Sequence, residues 1–290
     1  MSTCRESDVA FAEYCSSDTV LSVRESSSES NLVGVRVGRM VLSNRQCADP
    51  SAVLDAIRAS GLDVLVLRYP ASEAHLSPYL QCPDFVSWQA DTLMYFEAEA
   101  EAEAEAEAEA EASTRTRNRV RLRELSKSEF ASATSALQLI FHGYTNHYAG
   151  SPVFGRIDTG AAYVDWTHRE VAQQTSAVLG LEFQSDGDSR WSLAGVCVVD
   201  GSPRDYDEIL LAGIHPSFRR QGLYSDALTL LKSRAAERKK DRLVVSTQAA
   251  NIPALKAWVR SGFEPILSLN TVHIARAVVF DQLVGAEIGA

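Results

Sequence analysis

Residues 209–263 read ILLAGIHPSFRRQGLYSDALTLLKSRAAERKKDRLVVSTQAANIPALKAWVRSGF, and they predict a strand, a glycine turn, a helix, a second strand and a second helix. The apolar run 209–214 has the length of a strand and is closed by a proline. Across 223–238, apolar residues recur every three or four positions, which predicts one buried helix face. Gly222 therefore lies at the first turn of this helix. Free N–H groups there, beside a residue with no side chain, favour the binding of a phosphate.

The second half of the stretch continues the pattern. Residues 243–247 are rich in β-branched side chains and predict a strand, after which Asn251 caps a helix that has Pro253 in its first turn and Gly262 past its end. The order R-x-x-G followed by N-x-x-A-x-x-x-W-x-x-x-G-F resembles the GNAT superfamily of acyl-CoA N-acyltransferases. The ordered set carries the resemblance, since R-x-x-G alone also describes an ordinary helix start.

Length and composition are those of a globular protein with two folding units. The chain has 290 residues, of which 46% are apolar and 23% charged. It contains no apolar run of the roughly 20 residues needed to span a bilayer, and its N-terminus has no apolar secretory region. The five cysteines are scattered without metal-ligand spacing. We therefore expect a cytoplasmic protein in a reducing compartment, with no membrane partner.

The charge is concentrated in one tract. The formal net charge is −10, but eight of the negative charges belong to the glutamates of a Glu-Ala repeat in residues 97–112, so the rest of the chain is close to neutral. Arginines alternate through 115–123 with no aromatic residue between them. Because single-stranded nucleic acids are bound by cations together with stacking aromatics, we expect no nucleic-acid partner.

Four segments follow from these patterns. Residues 1–30, rich in serine and acids, predict a mobile tail, and residues 31–96 predict a smaller β-α-β-α-β half-module. Residues 97–114 hold the repeat and predict a solvated linker, the alternative being a rigid helical spacer of about 24 Å. Residues 115–290 predict the order β-α-α-β-β-α-β-α-β, with a capping box at Ser126–Glu129. The predicted class is α/β, a GNAT-like mixed twisted sheet flanked by helices.

A closer resemblance covers most of the chain after the tail. Residues 31–35, 160–166 and 245–256 are similar to the sugar-nucleotide N-acetyltransferases of the TDP-fucosamine acetyltransferase type. This resemblance implies transfer of an acetyl group from acetyl-CoA to the amine of a small molecule, such as a nucleotide-linked amino sugar. A CoA-binding regulatory or structural module with little turnover is the competing interpretation. The sequence is also compatible with a homodimer.

The expected co-substrate is acetyl-CoA, with no metal. Strand 209–214 offers its edge to the pantetheine amides, as an extended peptide adds to a sheet, and the turn after it offers amides to the pyrophosphate. Asn251 has two interpretations, a helix cap and a CoA contact. The candidate cofactor-binding residues are Leu211, Ala212, Gly213, Ile214, Arg219, Arg220, Gln221, Gly222, Leu223, Tyr224 and Asn251.

The catalytic candidates are Tyr224, Trp258 and Glu208. The resemblance implies a tyrosine at the position of Trp258, where it protonates the leaving thiolate, whereas an indole N–H donates a hydrogen bond but does not release its proton. Tyr224 offers a replacement hydroxyl, or it is a core tyrosine. For the base that accepts the proton of the amine, Glu208 and Asp91 are candidates, and both are also interpretable as solvated acids at strand ends.

The segment 141–148 lies where the resemblance implies an acceptor loop. Its hydrogen-bonding and stacking side chains suit a sugar nucleotide, although core or surface packing explains the aromatics equally well. Its two histidines are five residues apart and have no cysteine or acid at metal-ligand spacing, which argues against zinc. The candidate substrate-binding residues are His142, Tyr144, Asn146, His147, Tyr148 and Asp91.

Overall fold

The computed structural model describes residues 10–15, 20–101, 119–144, 146–155, 157–172, 176–185 and 189–285. The chain divides into two compact units, each built from separate stretches of sequence. Unit 1 comprises Met1–Met94, Thr145–Ile157 and Leu267–Ala290, and unit 2 comprises Tyr95–Tyr144 and Asp158–Ile266. The fold is mixed α/β, with a mixed sheet flanked by helices, as the sequence predicts.

Unit 1 is built on strands β1 to β3, the first part of β4 and the last part of β10. Strands β1 and β2 are antiparallel, β2 and β3 are parallel, and β10 pairs antiparallel with β3. Helix α4 covers one face of this sheet with Val53 and Ile57, and the N-cap Asp49 accepts hydrogen bonds from the first amides of α4. The elements are α1 (Ala10–Tyr14), β1 (Arg24–Glu25), α2 (Ser27–Val33), β2 (Val37–Val41), α3 (Asn44–Cys47), α4 (Pro50–Ala59), β3 (Val64–Pro70), a 3-10 helix (Ala71–Leu80), β4 (Phe85–Glu99), β10 (Glu264–Arg276) and α9 (Ala277–Gly285).

Unit 2 is the larger unit and contains the stretch with which the sequence analysis began. Its strands follow the order β9-β8-β7-β6-β5, and every neighbouring pair is antiparallel except β8 and β9, which are parallel. The elements are β5 (Arg119–Glu124), α5 (Lys127–Phe141), α6 (Thr159–Ala172), β6 (Ser176–Gln184), β7 (Ser192–Asp200), β8 (Tyr206–Ile214), a 3-10 helix (Pro216–Phe218), α7 (Leu223–Glu237), β9 (Arg242–Gln248) and α8 (Ile252–Arg260).

Local sequence explains how two helices of unit 2 are placed. The predicted capping box is confirmed, because the hydroxyl of Ser126 accepts from the amide of Glu129 while the Glu129 carboxylate accepts from the amide of Ser126. Helix α5 then packs on β8 at Gly213. A Cβ atom at Gly213 would lie only 2.2 Å from Cγ2 of Ile140, so the absence of a side chain there allows this close approach.

Two predicted boundaries are wrong. The predicted tail ends at residue 30, but α1, β1 and the first half of α2 lie inside it: the buried carboxylate of Glu29 binds the guanidinium of Arg39, and the Ser30 hydroxyl accepts from the amide of Val37. These partners lie seven to ten residues away, so no local pattern reveals them. The predicted linker begins at Glu97, but Glu97 lies inside β4, where its carboxylate binds the guanidinium of Arg242 at 2.8 Å. The remaining repeats, 102–112, lie outside the described residues.

The predicted order of elements omits one strand, β6. Its sequence, SAVLGLEFQ, is buried on both faces for most of its length, so apolar and polar residues alternate only over the last four positions. At Gly180, in the middle of the strand, a Cβ atom would lie 2.9 Å from side chains of both Leu125 and Leu193, so the missing side chain gives these leucines room. Of the helices in the described part of the chain, none combines the length and the apolar character that a membrane span requires.

Candidate active site

The parallel strands β8 and β9 separate halfway along β8. Their paired residues run from Tyr206 opposite Arg242 to Ile209 opposite Val245, and beyond that point no register between the two strands continues among the described residues. Strand β8 stays paired with β7 as far as Ile214, so its second half has a partner on one side and an open edge on the other. A register shift leaves Leu210 without an opposite residue at the point of separation.

This opening is where the sequence predicts that β8 offers its edge to an extended ligand. The candidates Leu211, Ala212, Gly213 and Ile214 all lie on the open half of the strand, and all but Leu211 are partly accessible. An unpaired strand edge presents backbone N–H and C=O groups that an extended chain with amides can bind. Gly213 has a packing role as well, since α5 fills the space beside it.

A glycine turn begins α7 at the end of the same strand. Gly222 has φ +85°, a left-handed conformation that favours glycine, and Arg220 also has a positive φ of 65°. The carbonyl of Gly222 accepts from the amides of Ser225 and Asp226, which leaves earlier amides of the turn at the positive end of the helix dipole. The turn therefore has the backbone geometry of an anion-binding helix start.

The two arginines of this turn differ in their contacts. The guanidinium of Arg219 donates to the carbonyl oxygens of Ile214 at 3.1 Å and Ile140 at 3.0 Å, so it joins β8 to the end of α5. Arg219, Arg220 and Gln221 are all exposed, but the guanidinium of Arg220 makes no such bond among the described residues. Of the two cations, Arg220 is therefore the better placed to reach a phosphate in solution. The roles of both in binding remain predictions.

Asn251 has the role of a cap. Its side-chain oxygen accepts from the amide of Ala254 at 3.4 Å, and its side-chain nitrogen donates to the hydroxyl of Thr247 at 2.9 Å. The cap interpretation is confirmed, and the CoA contact stays a prediction. The bond to Thr247 also fixes the start of α8 against the end of β9.

Tyr144 closes a polar network at the end of β9. Its hydroxyl donates to Oε1 of Gln248 at 2.5 Å and lies 3.1 Å from the hydroxyl of Thr247, while its ring packs against Phe141 and Tyr163. His142, two residues earlier, is the exposed C-cap of α5. Thr247 and Gln248 were not among the candidate residues predicted from the sequence. The available indication was that the apolar run 243–245 is followed by three polar residues, the last two being Thr247 and Gln248.

The remaining substrate candidates belong to unit 1, and three of them form hydrogen bonds with other residues of that unit. The side-chain oxygen of Asn146 accepts from the amide of Tyr148 at 2.9 Å, and the Tyr148 hydroxyl donates to the carboxylate of Glu29 at 2.8 Å. His147 Nδ1 lies 2.9 Å from His273 Nε2, and both rings are buried. Burial lowers the pKa of His147 well below its usual value and that of His273 to about 3. Both rings are therefore neutral at pH 7.

Asp91 lies in the unit 1 part of β4 and is half-buried. Glu208, the other proposed base, lies on β8 and is only 2% exposed. The alternative of a solvated strand-end acid is therefore wrong for Glu208. Burial raises the pKa of its carboxyl to about 8, the nearby Asp200 and Glu170 add to this effect, and Arg204 opposes it. Its Oε2 atom has no hydrogen-bond partner within the described part of the chain.

Trp258 and Tyr224 meet between α8 and α7. The indole Nε1 of Trp258 donates to the Tyr224 hydroxyl oxygen at 2.9 Å, and Trp258 is 2% exposed. Burial raises the pKa of Tyr224 above its usual value, whereas the bond from Trp258 lowers it. Both interpretations of Tyr224, a replacement hydroxyl and a core tyrosine, stay predictions.

Metal ligation finds no support among these residues. Within the described ranges, no group of three or more His, Cys, Asp or Glu side chains is arranged to hold a metal ion. The buried thiol of Cys197 has its pKa raised to about 12 by burial, so it is not a reactive thiolate at neutral pH.

One segment of the chain matches a known protein family. Residues 153–263, which hold β8, the Gly222 turn and Trp258, match the family model described as the acetyltransferase (GNAT) family. None of the curated proteins matches the chain.

Solved structures share the fold at low sequence identity. A conserved protein of unknown function from Staphylococcus epidermidis matches with 13% identity and a TM-score of 0.51, over 91% of this chain and 93% of its own. A GCN5-related glucosamine N-acetyltransferase region of a fungal multi-domain GH3 beta-N-acetylglucosaminidase matches with 10% identity and a TM-score of 0.51, over 82% of this chain and 30% of its own. A GCN5-related N-acetyltransferase from Kribbella flavida matches with 14% identity and a TM-score of 0.49, over 83% and 81%.

Proposed function

We propose that this acyltransferase, whose residues 153–263 match the GNAT acetyltransferase family, transfers the acetyl group of acetyl-CoA to the amine of a small molecule. The observation that carries the proposal is the opening between β8 and β9, with the Gly222 turn at its end. An open strand edge and a helix start with free amides match the two chemical halves of CoA, a chain with amide groups and a pyrophosphate.

The open half of β8 binds the pantetheine arm. Backbone groups of residues 211–214 pair with its amides, and the turn at Gly222 binds the pyrophosphate with Arg220 beside it. Leu210 lies where the register shifts, at the apex of the opening, so backbone N–H groups near it are available to the thioester oxygen. Fixed donors aimed at an oxygen that gains negative charge are among the strongest contributions to acyl-transfer catalysis.

Glu208 supplies the base. Amine attack requires a neutral amine, and a buried carboxylate whose pKa is about 8 accepts a proton from an ammonium group without holding it strongly. Its Oε2 atom, which has no partner in the described part of the chain, is available to a water or to the amine. Asp91 remains the alternative base on the sequence evidence.

The acceptor we propose is a nucleotide-linked amino sugar. The resemblance of residues 31–35, 160–166 and 245–256 to sugar-nucleotide N-acetyltransferases supports this choice. Two further features of the end of β9 agree with it. Tyr144 presents an aromatic ring beside the opening, and Gln248 and Thr247 present polar groups that suit sugar hydroxyls. A cytoplasmic location, where nucleotide sugars are made, is part of the same proposal.

A thiol-release assay with acetyl-CoA and a panel of amino sugars, polyamines and peptides tests the proposal. We expect acceptor-dependent release with one class of amine, and mass spectrometry of the product should show one added acetyl group. Glu208→Gln should lose most of this release, whereas Glu264→Gln, at an exposed acid beyond α8, should retain it. Tight CoA binding without acetylation of any acceptor would instead support a binding module.

A further inference from the structure

The hydrogen bond between Trp258 and Tyr224 joins helix α8 to the first turn of α7. Tyr224 follows Leu223, the first residue of α7, and lies two positions after Gly222, whereas Trp258 lies near the end of α8. The indole Nε1 of Trp258 donates to the Tyr224 hydroxyl oxygen at 2.9 Å. An indole has a single N–H group, so Trp258 has no hydrogen left to donate to a sulfur atom. The place of this bond in the chain points instead to a role at the Gly222 turn.

The backbone of Tyr224 belongs to the same turn as its anchored hydroxyl. The carbonyl of Gly222 accepts from the amides of Ser225 and Asp226, so the helical bonds of α7 begin there. The two amides before them, those of Leu223 and Tyr224, have no acceptor among the described residues. One of the two free amides therefore belongs to the residue whose side chain Trp258 holds.

The side chains of these two residues fix the turn from different directions. Leu223 is 1% exposed and packs in the same core cluster as Leu181 of β6. Tyr224 instead reaches Trp258, which is 2% exposed and packs against Phe96 of β4 with ring centroids 5.4 Å apart. Successive residues of an α-helix project about 100° apart, so two such anchors fix the rotation of the first turn as well as its position.

We propose that Trp258 is a positioning residue for the pyrophosphate of CoA, because it holds Tyr224 and so fixes the direction of the free amides in the first turn of α7. The inference rests on the proposed function, in which the Gly222 turn binds the pyrophosphate of acetyl-CoA. Donors that are already fixed before a ligand arrives lose less conformational freedom on binding, so an anchored turn binds phosphate more tightly than a loose one. In this role Trp258 affects the affinity for the nucleotide part of CoA.

Binding of two fragments of CoA tests this role without knowledge of the acceptor. Adenosine diphosphate carries the pyrophosphate, and pantetheine carries the amides but no phosphate. Trp258→Phe keeps an aromatic ring and removes the N–H donor. Loss of one neutral hydrogen bond changes an equilibrium constant about 2- to 10-fold, so the Kd values of adenosine diphosphate and acetyl-CoA should rise by such a factor, with that of pantetheine unchanged. Isothermal calorimetry measures all three.

Two further variants complete the design. Tyr224→Phe removes the acceptor of the same bond and should show the same pattern, and the double variant should lose no more than either single variant, because all three lack one bond. Tyr224→Phe also carries the test if Trp258→Phe does not fold. Trp88→Phe is the matched control, since Trp88 is a half-buried tryptophan of unit 1 whose Nε1 has no hydrogen-bond partner in the described chain, and it should bind both fragments as the wild type does.

The outcomes separate this inference from the proposed function. Equal affinity for adenosine diphosphate in the wild type and in folded Trp258→Phe or Tyr224→Phe would overturn the positioning role and leave acetyl transfer intact. An equal loss of affinity for both fragments would also overturn it, because a general loosening of the unit weakens the two alike. Failure of the wild type to bind acetyl-CoA would overturn both the proposed function and this inference.

Discussion

Exchange of Gly222 for aspartate tests whether the turn before α7 binds the phosphates of CoA. The variant introduces a carboxylate and a Cβ atom where the backbone has φ +85°. A side chain in the left-handed region costs roughly 1–2 kcal/mol of folding free energy, so some loss of stability is expected regardless of ligand. The effect on binding must therefore be separated from this strain.

Gly262 provides a matched control. It follows α8 with φ +80°, and a Cβ atom there meets nothing within 4 Å. Gly262→Asp therefore carries the same backbone strain and the same added charge, but it lies outside the proposed phosphate turn. The melting temperatures of the two variants should fall by similar amounts.

Only Gly222→Asp should lose affinity for acetyl-CoA. A hydrogen bond from an amide to a charged phosphate contributes about 1.5–3 kcal/mol, so loss of one such contact raises Kd about 10- to 150-fold, and repulsion between the carboxylate and the pyrophosphate adds to this. Isothermal calorimetry on folded variants measures the difference. Equal affinity in wild type and Gly222→Asp, or an equal loss in both variants, would refute the assignment of the turn.

Three other predictions follow from the described contacts. Because the pKa of Glu208 is raised to about 8, its carboxyl is mainly protonated at pH 7, and the acetyl-transfer rate should rise more steeply towards about pH 9 in the wild type than in Glu208→Gln, where only deprotonation of the free amine contributes. Because His147 and His273 are held neutral, the unfolded chain binds more protons than the folded one below the usual histidine pKa of about 6.5, so the free energy of unfolding should fall as pH falls below it. Urea unfolding should show this slope flattened in His273→Gln and retained in His75→Gln. Deletion of residues 103–110 removes four Glu-Ala repeats, and the melting temperature should stay within about 2 °C because the tract offers no large apolar side chain for burial, whereas a fall of several degrees would show that it packs.

The parts of the fold that sequence predicts well are those encoded within a few residues. Asn251 caps α8, Ser126 and Glu129 form the capping box of α5, and Gly222 begins α7, all as the local patterns indicate. Caps and glycine turns depend on bonds between near neighbours in the chain, so their residue types are recognisable without a structure.

The parts that sequence does not predict depend on distant partners. The carboxyl of Glu208 looks like a solvated acid at a strand end, but the packing of the unit buries it and raises its pKa to about 8. The indole of Trp258 and the hydroxyl of Tyr224 are 34 positions apart, so their bond is invisible in any sequence window. The burial of Glu208 and the bond between Trp258 and Tyr224 both concern candidate catalytic residues. The roles of these residues are therefore less predictable from the sequence than the helices and strands that carry them.

The pairing of β3 with β10 constrains how the chain folds as it leaves the ribosome. Leu67 lies opposite Val272, so a central strand of unit 1 acquires this neighbour only after about 200 further residues have been made. Until then, the edge of β3 that pairs with β10 is unpaired in the nascent N-terminal segment, and an unpaired edge favours aggregation or chaperone binding. A truncated transcript that ends after β9 would yield an incomplete unit 1 even though the stretch proposed to bind CoA is present. Expression of residues 31–96 as an isolated fragment should fail for the same reason.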